Sequence, residues 1–245
     1  MRLLKRVLLV TALLLLAAAA IFVVWASNPL GPMPEALEAM QSDGQVQVTE
    51  DGWITFQPAG AQPDTGLVIY PGGRVDPRSY APIARQVAGQ GYLAVIMPMP
   101  LNMAVFGYER ALEVIAAHPE IQHWAIGGHS LGGAMAARFA TQHPAAVRGL
   151  DLWAAYPASS DDLSGQDLQV VSMIGSLDGL GTGQGVQETR PLLPPDTIFI
   201  TIEGGNHSQF GWYGDQPGDA EATISREEQQ AQVLQATLQL LAGLQ

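Results

Sequence analysis

Trp124-Ala125-Ile126-Gly127-Gly128-His129-Ser130-Leu131-Gly132-Gly133-Ala134-Met135-Ala136-Ala137 is the stretch that decides how this chain folds. A short apolar run ends in two glycines, a serine follows, and a run of small residues suited to a helix comes next. G-x-S-x-G in that setting predicts a sharp strand-to-helix turn with Ser130 at its apex. The turn forces strained backbone angles on the serine, and small neighbours at 128 and 132 avoid clashes within it. Ser130 is expected at the C-terminal end of its strand, over a helix N-terminus whose partial positive charge favours developing negative charge. The Leu131 N–H is the expected first oxyanion donor.

Outward from this turn, apolar runs alternate with helical spacing. Strands are expected at 45–49, 53–57, 66–70, 92–97, 124–127, 147–155, 170–175 and 197–202. The first two flank Glu50-Asp51-Gly52 and read as a hairpin. Helices are expected at 77–89, 104–117, 131–142 and 225–241, the last opening on Ser-x-x-Glu, a capping box. Such alternation implies an α/β domain: a mostly parallel sheet with helices on both faces and an antiparallel hairpin at one edge. Glycines 179, 181, 183 and 185 read as a loop.

A serine raised on such a turn needs a base. Of the five histidines, His129 adjoins the serine and points elsewhere, His118 and His143 precede prolines at helix ends, and His123 precedes the serine's strand. His207 remains, in Glu203-Gly204-Gly205-Asn206-His207 after the last expected strand. An acid is expected after the preceding strand, where Asp178 follows Gly175-Ser176-Leu177. Asp161 and Asp162 are the alternative acids. In this assignment His207 takes the Ser130 proton as the oxygen attacks a carbonyl, and Asp178 holds the imidazole in the required tautomer. Tyr70-Pro71-Gly72-Gly73-Arg74 ends an inner strand and is the expected source of a second oxyanion donor, Gly73 first and Arg74 next. The Arg74 side chain has two readings, attraction of an anionic substrate group or pairing with a surface acid. The apolar loop 98–106 and the aromatics after His207 supply candidate pocket residues Met99, Met103, Phe106 and Trp212. Ordinary packing is the competing reading for all four.

Together these residues resemble the α/β-hydrolase superfamily, and most nearly its small single-domain alpha/beta hydrolase fold-5 group, related to dienelactone-hydrolase-like proteins. The likeness runs from about Trp53 to the C-terminus. It rests on Tyr70-Pro-Gly-Gly-Arg74, Gly128-His-Ser-Leu-Gly-Gly133, Gly175-Ser-Leu-Asp178 and Gly204-Gly-Asn-His207. The resemblance implies an eight-stranded sheet, the chain order Ser…Asp…His, and hydrolysis without cofactor or metal, above all of esters. The chain departs from dienelactone hydrolases in carrying serine where they use cysteine. Roughly 20 residues separate the sixth expected strand from Asp178, too few for a large lid.

Composition narrows the rest. The chain has 245 residues, is 47% apolar, and carries a net charge of −12. Arg2, Lys5 and Arg6 sit in an N-terminal segment without acids, so the remainder is more acidic still and repels phosphate backbones, which disfavours nucleic acid as a partner. The absence of cysteine excludes disulfides, thiolate metal sites and a cysteine-borne lipid anchor. Residues 7–26 are apolar but for Thr11, about 30 Å of helix, enough to span a bilayer. Two readings stand, an uncleaved anchor and a signal peptide cleaved after Val24-Trp25-Ala26; both put the domain outside the cytoplasm. The expected division is 1–26 anchor or signal, 27–44 linker with a short helix near 35–40, and 45–245 catalytic domain. Three functions remain open: a carboxylic ester hydrolase acting through a Ser-His-Asp set and an acyl-enzyme, an amidase or peptidase of the same fold, and a tethered binding domain without turnover.

Overall fold

The computed structural model describes residues 2–245, with side chains from residue 4 onward, so Met1 and the side chains of Arg2 and Leu3 lie outside the described residues. The apolar segment is one long helix, α1 (Arg2–Ala26), followed by α2 (Pro34–Glu38). Then come β1 (Val46–Glu50), β2 (Ile54–Pro58), β3 (Thr65–Tyr70), α3 (Ala81–Gly89), β4 (Leu93–Ile96), α4 (Ala111–Ala117), β5 (His123–His129) and α5 (Leu131–Gln142). The chain finishes with β6 (Gly149–Trp153), β7 (Gln169–Gly175), α6 (Thr182–Thr189), β8 (Ile198–Ile202) and α7 (Arg226–Ala242).

The eight strands form one sheet in the order β1-β2-β4-β3-β5-β6-β7-β8. The pairs β1–β2 and β2–β4 are antiparallel and the rest parallel. Side chains alternate across the pleat, so each central strand feeds two cores. Leu67 and Ile69 pack on one face with α3 and α7; Val68 and Tyr70 pack on the other with α4 and α5. Burial of both faces is why these strands read as unbroken apolar runs. The register sets Tyr70 beside Gly128 and His129 beside Trp153. The ends of β3, β5 and β6 therefore meet at one rim, where the chemistry-bearing turns lie.

Three local expectations differ. The helix foreseen at 104–117 begins only at Ala111, after 3-10 turns at Ala104–Phe106 and Tyr108–Arg110. Gly107 breaks it at φ −158°, seated so closely on Pro100 that a Cβ there would lie 2.8 Å from the ring. The glycine-spaced stretch after Asp178 is a helix, α6, entered through Gly181 at φ +79°. Residues 27–44 dock on the domain: Leu30 bridges Val75, the Met33 N–H donates to the Trp212 carbonyl at 2.8 Å, and Ala36 is fully buried.

Candidate active site

Ser130 stands between β5 and α5 at φ +53°, ψ −122°, a conformation an L-residue holds only when its surroundings dictate it. Those surroundings are glycine-dependent. A Cβ on Gly132 would overlap the carbonyl oxygens of Tyr70 and Pro71, and one on Gly128 would overlap that of Tyr70. The Ser130 N–H donates to the Trp153 carbonyl at 2.9 Å, which ties the turn to the neighbouring strand.

His207 arrives from the loop after β8, and three neighbours fix that loop. Gln229 of α7 reads Asn206 with both ends of its amide, accepting from its N–H at 3.0 Å and donating to its carbonyl at 2.9 Å. Arg226 donates to the Ser208 carbonyl at 2.8 Å. Asp219 accepts from the N–H groups of His207, Ser208 and Gly179, so one carboxylate clips the His207 loop to the Asp178 loop. The imidazole Nδ1–H donates to Asp178 Oδ2 at 2.8 Å, both side chains being 2% exposed. Oδ1 of the same carboxylate accepts from the Leu180 N–H at 2.9 Å. Burial alone would raise the Asp178 pKa, but the hydrogen bond and charge of His207, with Thr182 and the Leu180 N–H, reverse this and hold it below the usual carboxylate value. The Thr182 hydroxyl lies 3.3 Å from Nδ1, on the first residue of α6.

Among the described residues His207 Nε2 has no hydrogen-bond partner, and Ser130 lines the same cavity of about 360 Å³ as His207. No hydrogen bond joins Ser130 Oγ to Nε2 in this structure; catalytic hydrogen bonds often tighten only with substrate bound. Leu131, Ala134, Ala154, Ala155, Ala158 and Leu180 give this cavity an apolar wall. Asp161 instead accepts from Ser160, and Asp162 from the Ser164 N–H, so neither alternative acid contacts His207.

His129 packs behind His207 and does not line the cavity. It is fully buried with its ring centroid 4.5 Å from that of His207. Desolvation, and secondarily the neighbouring His207, push its pKa well below that of a free imidazole, so it stays neutral beside His207. Its Nδ1 lies 2.9 Å from the Tyr80 hydroxyl, which itself accepts from the Gly72 N–H at 2.9 Å. The Gly72 donor is therefore occupied. So is the Arg74 N–H, which donates to the Asn102 carbonyl at 2.8 Å; this removes Arg74 as an oxyanion donor. Among the described residues the Gly73 N–H has no such acceptor, and its α-carbon faces the Leu131 side chain.

The expected pocket residues lie elsewhere. Met99 is buried in the core, Trp212 is buried beneath Arg226, and Phe106 is exposed; none of them lines the Ser130 cavity. Met103 lines a separate cavity with Gly73 and Arg74, not the Ser130 cavity. Loop 98–106 leaves β4 on the side of α1, whereas the cavity opens toward the ends of β6 and β7. Among the described residues the Arg74 side chain pairs with no acid: its Nε donates to the Trp25 carbonyl at 2.9 Å, one NH2 group donates to the Asn28 carbonyl at 2.6 Å, and the guanidinium covers the Trp25 ring at 4.2 Å. Thr182 and Asp219 escaped sequence reading. The only signal for Thr182 was its place four residues after Asp178, and Asp219 had none.

The comparisons agree with this architecture. The model of the alpha/beta hydrolase family matches residues 66–231, about two thirds of the chain. Among solved structures, a dienelactone hydrolase from Anabaena variabilis aligns with TM-score 0.61 at 15% identity, covering 80% of this chain and 99% of that one. A putative dienelactone hydrolase from Klebsiella pneumoniae aligns with TM-score 0.58 at 13% identity, covering 80% and 98%. A thermophilic esterase from Thermogutta terrifontis aligns with TM-score 0.51 at 14% identity, covering 80% and 91%. No curated protein matches the sequence. At these identities the structures speak for the fold, and the family model speaks for descent: the chain belongs to the alpha/beta hydrolase family.

Proposed function

We infer that this protein is a serine hydrolase cleaving carboxylic esters, with Ser130 as nucleophile, His207 as base and Asp178 as the residue that orients the base. The observation that carries the reading is the buried 2.8 Å His207–Asp178 hydrogen bond, with the free Nε2 of that histidine in a residue walling the cavity of a positive-φ serine. In the forward step Ser130 Oγ bonds to the ester carbonyl carbon and its proton passes to His207 Nε2. The carbonyl oxygen becomes an oxyanion, met by the N–H groups of Leu131 and Gly73, donors worth about 2.7–4 kcal/mol each. The alcohol departs with the proton from Nε2. Water, deprotonated by His207, then attacks the acyl-serine, and the carboxylate leaves as Ser130 recovers its proton.

The cavity walls favour uncharged acyl groups: no Asp, Glu, Lys or Arg side chain lines the cavity. Its volume of about 360 Å³ is near the lower end for small-molecule sites. The names of the structural neighbours, an esterase and dienelactone hydrolases, point to ester and lactone bonds. A panel of p-nitrophenyl esters against the matching anilides tests the reading. Ester turnover that vanishes in Ser130→Ala supports it; cleavage of anilides at comparable rates would make the enzyme an amidase, and no turnover of either by folded protein would leave a binding domain.

The same reading keeps 1–26 as a retained anchor, 27–44 as a docked connection and 45–245 as the catalytic domain, facing away from the cytoplasm. Lys5 and Arg6 ahead of the apolar run support that orientation. Retention is supported by the end of α1. Its carbonyls at Trp25 and Ala26 accept from the Arg74 and Asn102 side chains of the domain. Cleavage after Ala26 would destroy that joint.

A further inference from the structure

The joint between α1 and the domain is built at the catalytic rim. The last four carbonyls of a helix need partners from outside it. Here Val23 O accepts from the Ser27 N–H at 2.9 Å, Val24 O from Asn28 Nδ2 at 2.6 Å, Trp25 O from Arg74 Nε at 2.9 Å, and Ala26 O from Asn102 Nδ2 at 2.9 Å. Arg74 also places a positive charge at the negative end of the helix. Arg74 and Asn102 both hold positive φ, 56° and 52°. Arg74 directly follows Gly73, the turn assigned to the oxyanion. The helix is therefore fixed to the catalytic turn itself.

With the helix retained as the anchor proposed above, that sets where the bilayer lies relative to the site. Within Leu4–Ala26 an 18-residue window has a mean hydropathy of 3.1 and is not covered by the domain, while Ala26 at the end is fully buried against it. Phe22 lies one turn inside the apolar end, about 6 Å below Ala26 along the axis. Its ring meets Phe106 edge-on at 6.2 Å. Phe106 is 52% exposed and Val105 46% exposed, so the loop carrying them reaches the depth of Phe22 with its apolar side chains uncovered. Trp25 stands at the level of an interfacial aromatic belt. Between this level and the serine lies a second cavity of about 370 Å³ lined by Trp25, Leu30, Gly73, Arg74 and Met103, with Gln216 and Pro217. Gly73 lines this second cavity, and its Cβ direction runs to Leu131 Cδ2 at 3.3 Å and to Met103 Sδ at 3.6 Å. Leu131 belongs to the wall of the Ser130 cavity.

We propose that residues 105–106 dip into the bilayer surface and that the enzyme draws its substrate from there, an uncharged membrane-resident lipid ester whose chain lies along the Trp25–Met103 cavity while its carbonyl reaches Ser130. This substrate class rests on the serine-esterase reading above and narrows it. The docking surface is continuous with the apolar helix, which is what commits it to lipid rather than to a protein partner.

The test uses the full chain in phosphatidylcholine vesicles. The absence of cysteine lets Val105→Cys carry a single environment-sensitive fluorophore. Its emission is expected to shift to the blue and to be quenched by lipid-borne quencher but not by aqueous iodide. Quenching by iodide alone overturns the docking. The second readout compares p-nitrophenyl palmitate dissolved in the vesicles with p-nitrophenyl acetate in the water. Val105→Asp is expected to lower the first rate by about tenfold or more, since a carboxylate resists the interface, and to leave the second within about twofold. Equal effects on both rates, or none on either, overturn the proposal. Wild type that cleaves the acetate but not the vesicle-borne ester also overturns it, while the esterase reading stands. Failure on both esters, with no labelling of Ser130 by a fluorophosphonate, overturns the esterase reading and this inference with it.

Discussion

At the scale of single residues the account turns on how neighbours prepare three side chains. Asp178 lies below the ordinary carboxylate range and stays ionised at neutral pH. Asp178→Asn keeps the shape but reverses the tautomer preference of His207, so kcat should fall about a thousandfold to ten-thousandfold with KM nearly unchanged. A small effect would mean that another acid orients the base. Thr182→Val removes the hydroxyl beside Nδ1; kcat should drop roughly tenfold and Thr182→Ser should restore it, a pattern that mere packing would not give. Asp151 tests the opposite electrostatics. It is fully buried under α7, accepts from Thr237 Oγ1 at 2.6 Å, and its pKa is pushed up to about 7 by burial. The folded state thus keeps a proton that the unfolded state loses above its value of 3.8. The stabilisation is complete below that value and is lost as the pH rises through about 7. Melting curves should show Asp151→Asn gaining on wild type from pH 5 to pH 8; a constant difference would contradict the assignment. Of this layer, the placement of Ser130, His207 and Asp178 at strand ends on one rim was legible in the sequence, because each sits in a local motif that follows an apolar run. Thr182, Asp219 and the Tyr80–His129 pair were not, because contacts between distant segments create their roles.

Among the elements, the strands were legible because burial on both faces leaves almost no polar residue in β3, β4 and β5. The terminal helix was legible from its cap. Ser225 Oγ accepts from the Glu228 N–H at 3.1 Å and Glu228 accepts from the Ser225 N–H at 2.8 Å. Ser225→Ala should cost about 1 kcal/mol in chemical denaturation. Since α7 holds the His207 loop through Arg226 and Gln229, kcat should decline alongside; a loss of stability without any loss of rate would uncouple the cap from the site. Helix α6 was not legible. Glycine costs about 1 kcal/mol per position in a helix, and two of its eight residues are glycine. Val186 and Thr182, buried against the domain, help it form regardless, and that burial depends on tertiary packing. The late start of α4 has a similar origin, in the close seat of Gly107 on Pro100.

For the molecule as a whole, the alternation of strands and helices made the sheet readable, and the apolar segment made a long N-terminal helix readable. Their mutual arrangement was hidden, because no local pattern links Arg74 and Asn102 to carbonyls at 25 and 26. A helix fastened in this way should remain on the protein: intact mass of the membrane-extracted chain should include the first 26 residues, and a mature chain starting at Ser27 would contradict retention. All of these expectations depend on convergence of Ser130, His207 and Asp178 at one rim of the sheet. Fluorophosphonate treatment followed by peptide mass mapping tests this most directly. The account requires one adduct per chain, on the peptide bearing Ser130, absent in Ser130→Ala and formed far more slowly in His207→Ala. An adduct on another residue, or none on folded wild type, would contradict it.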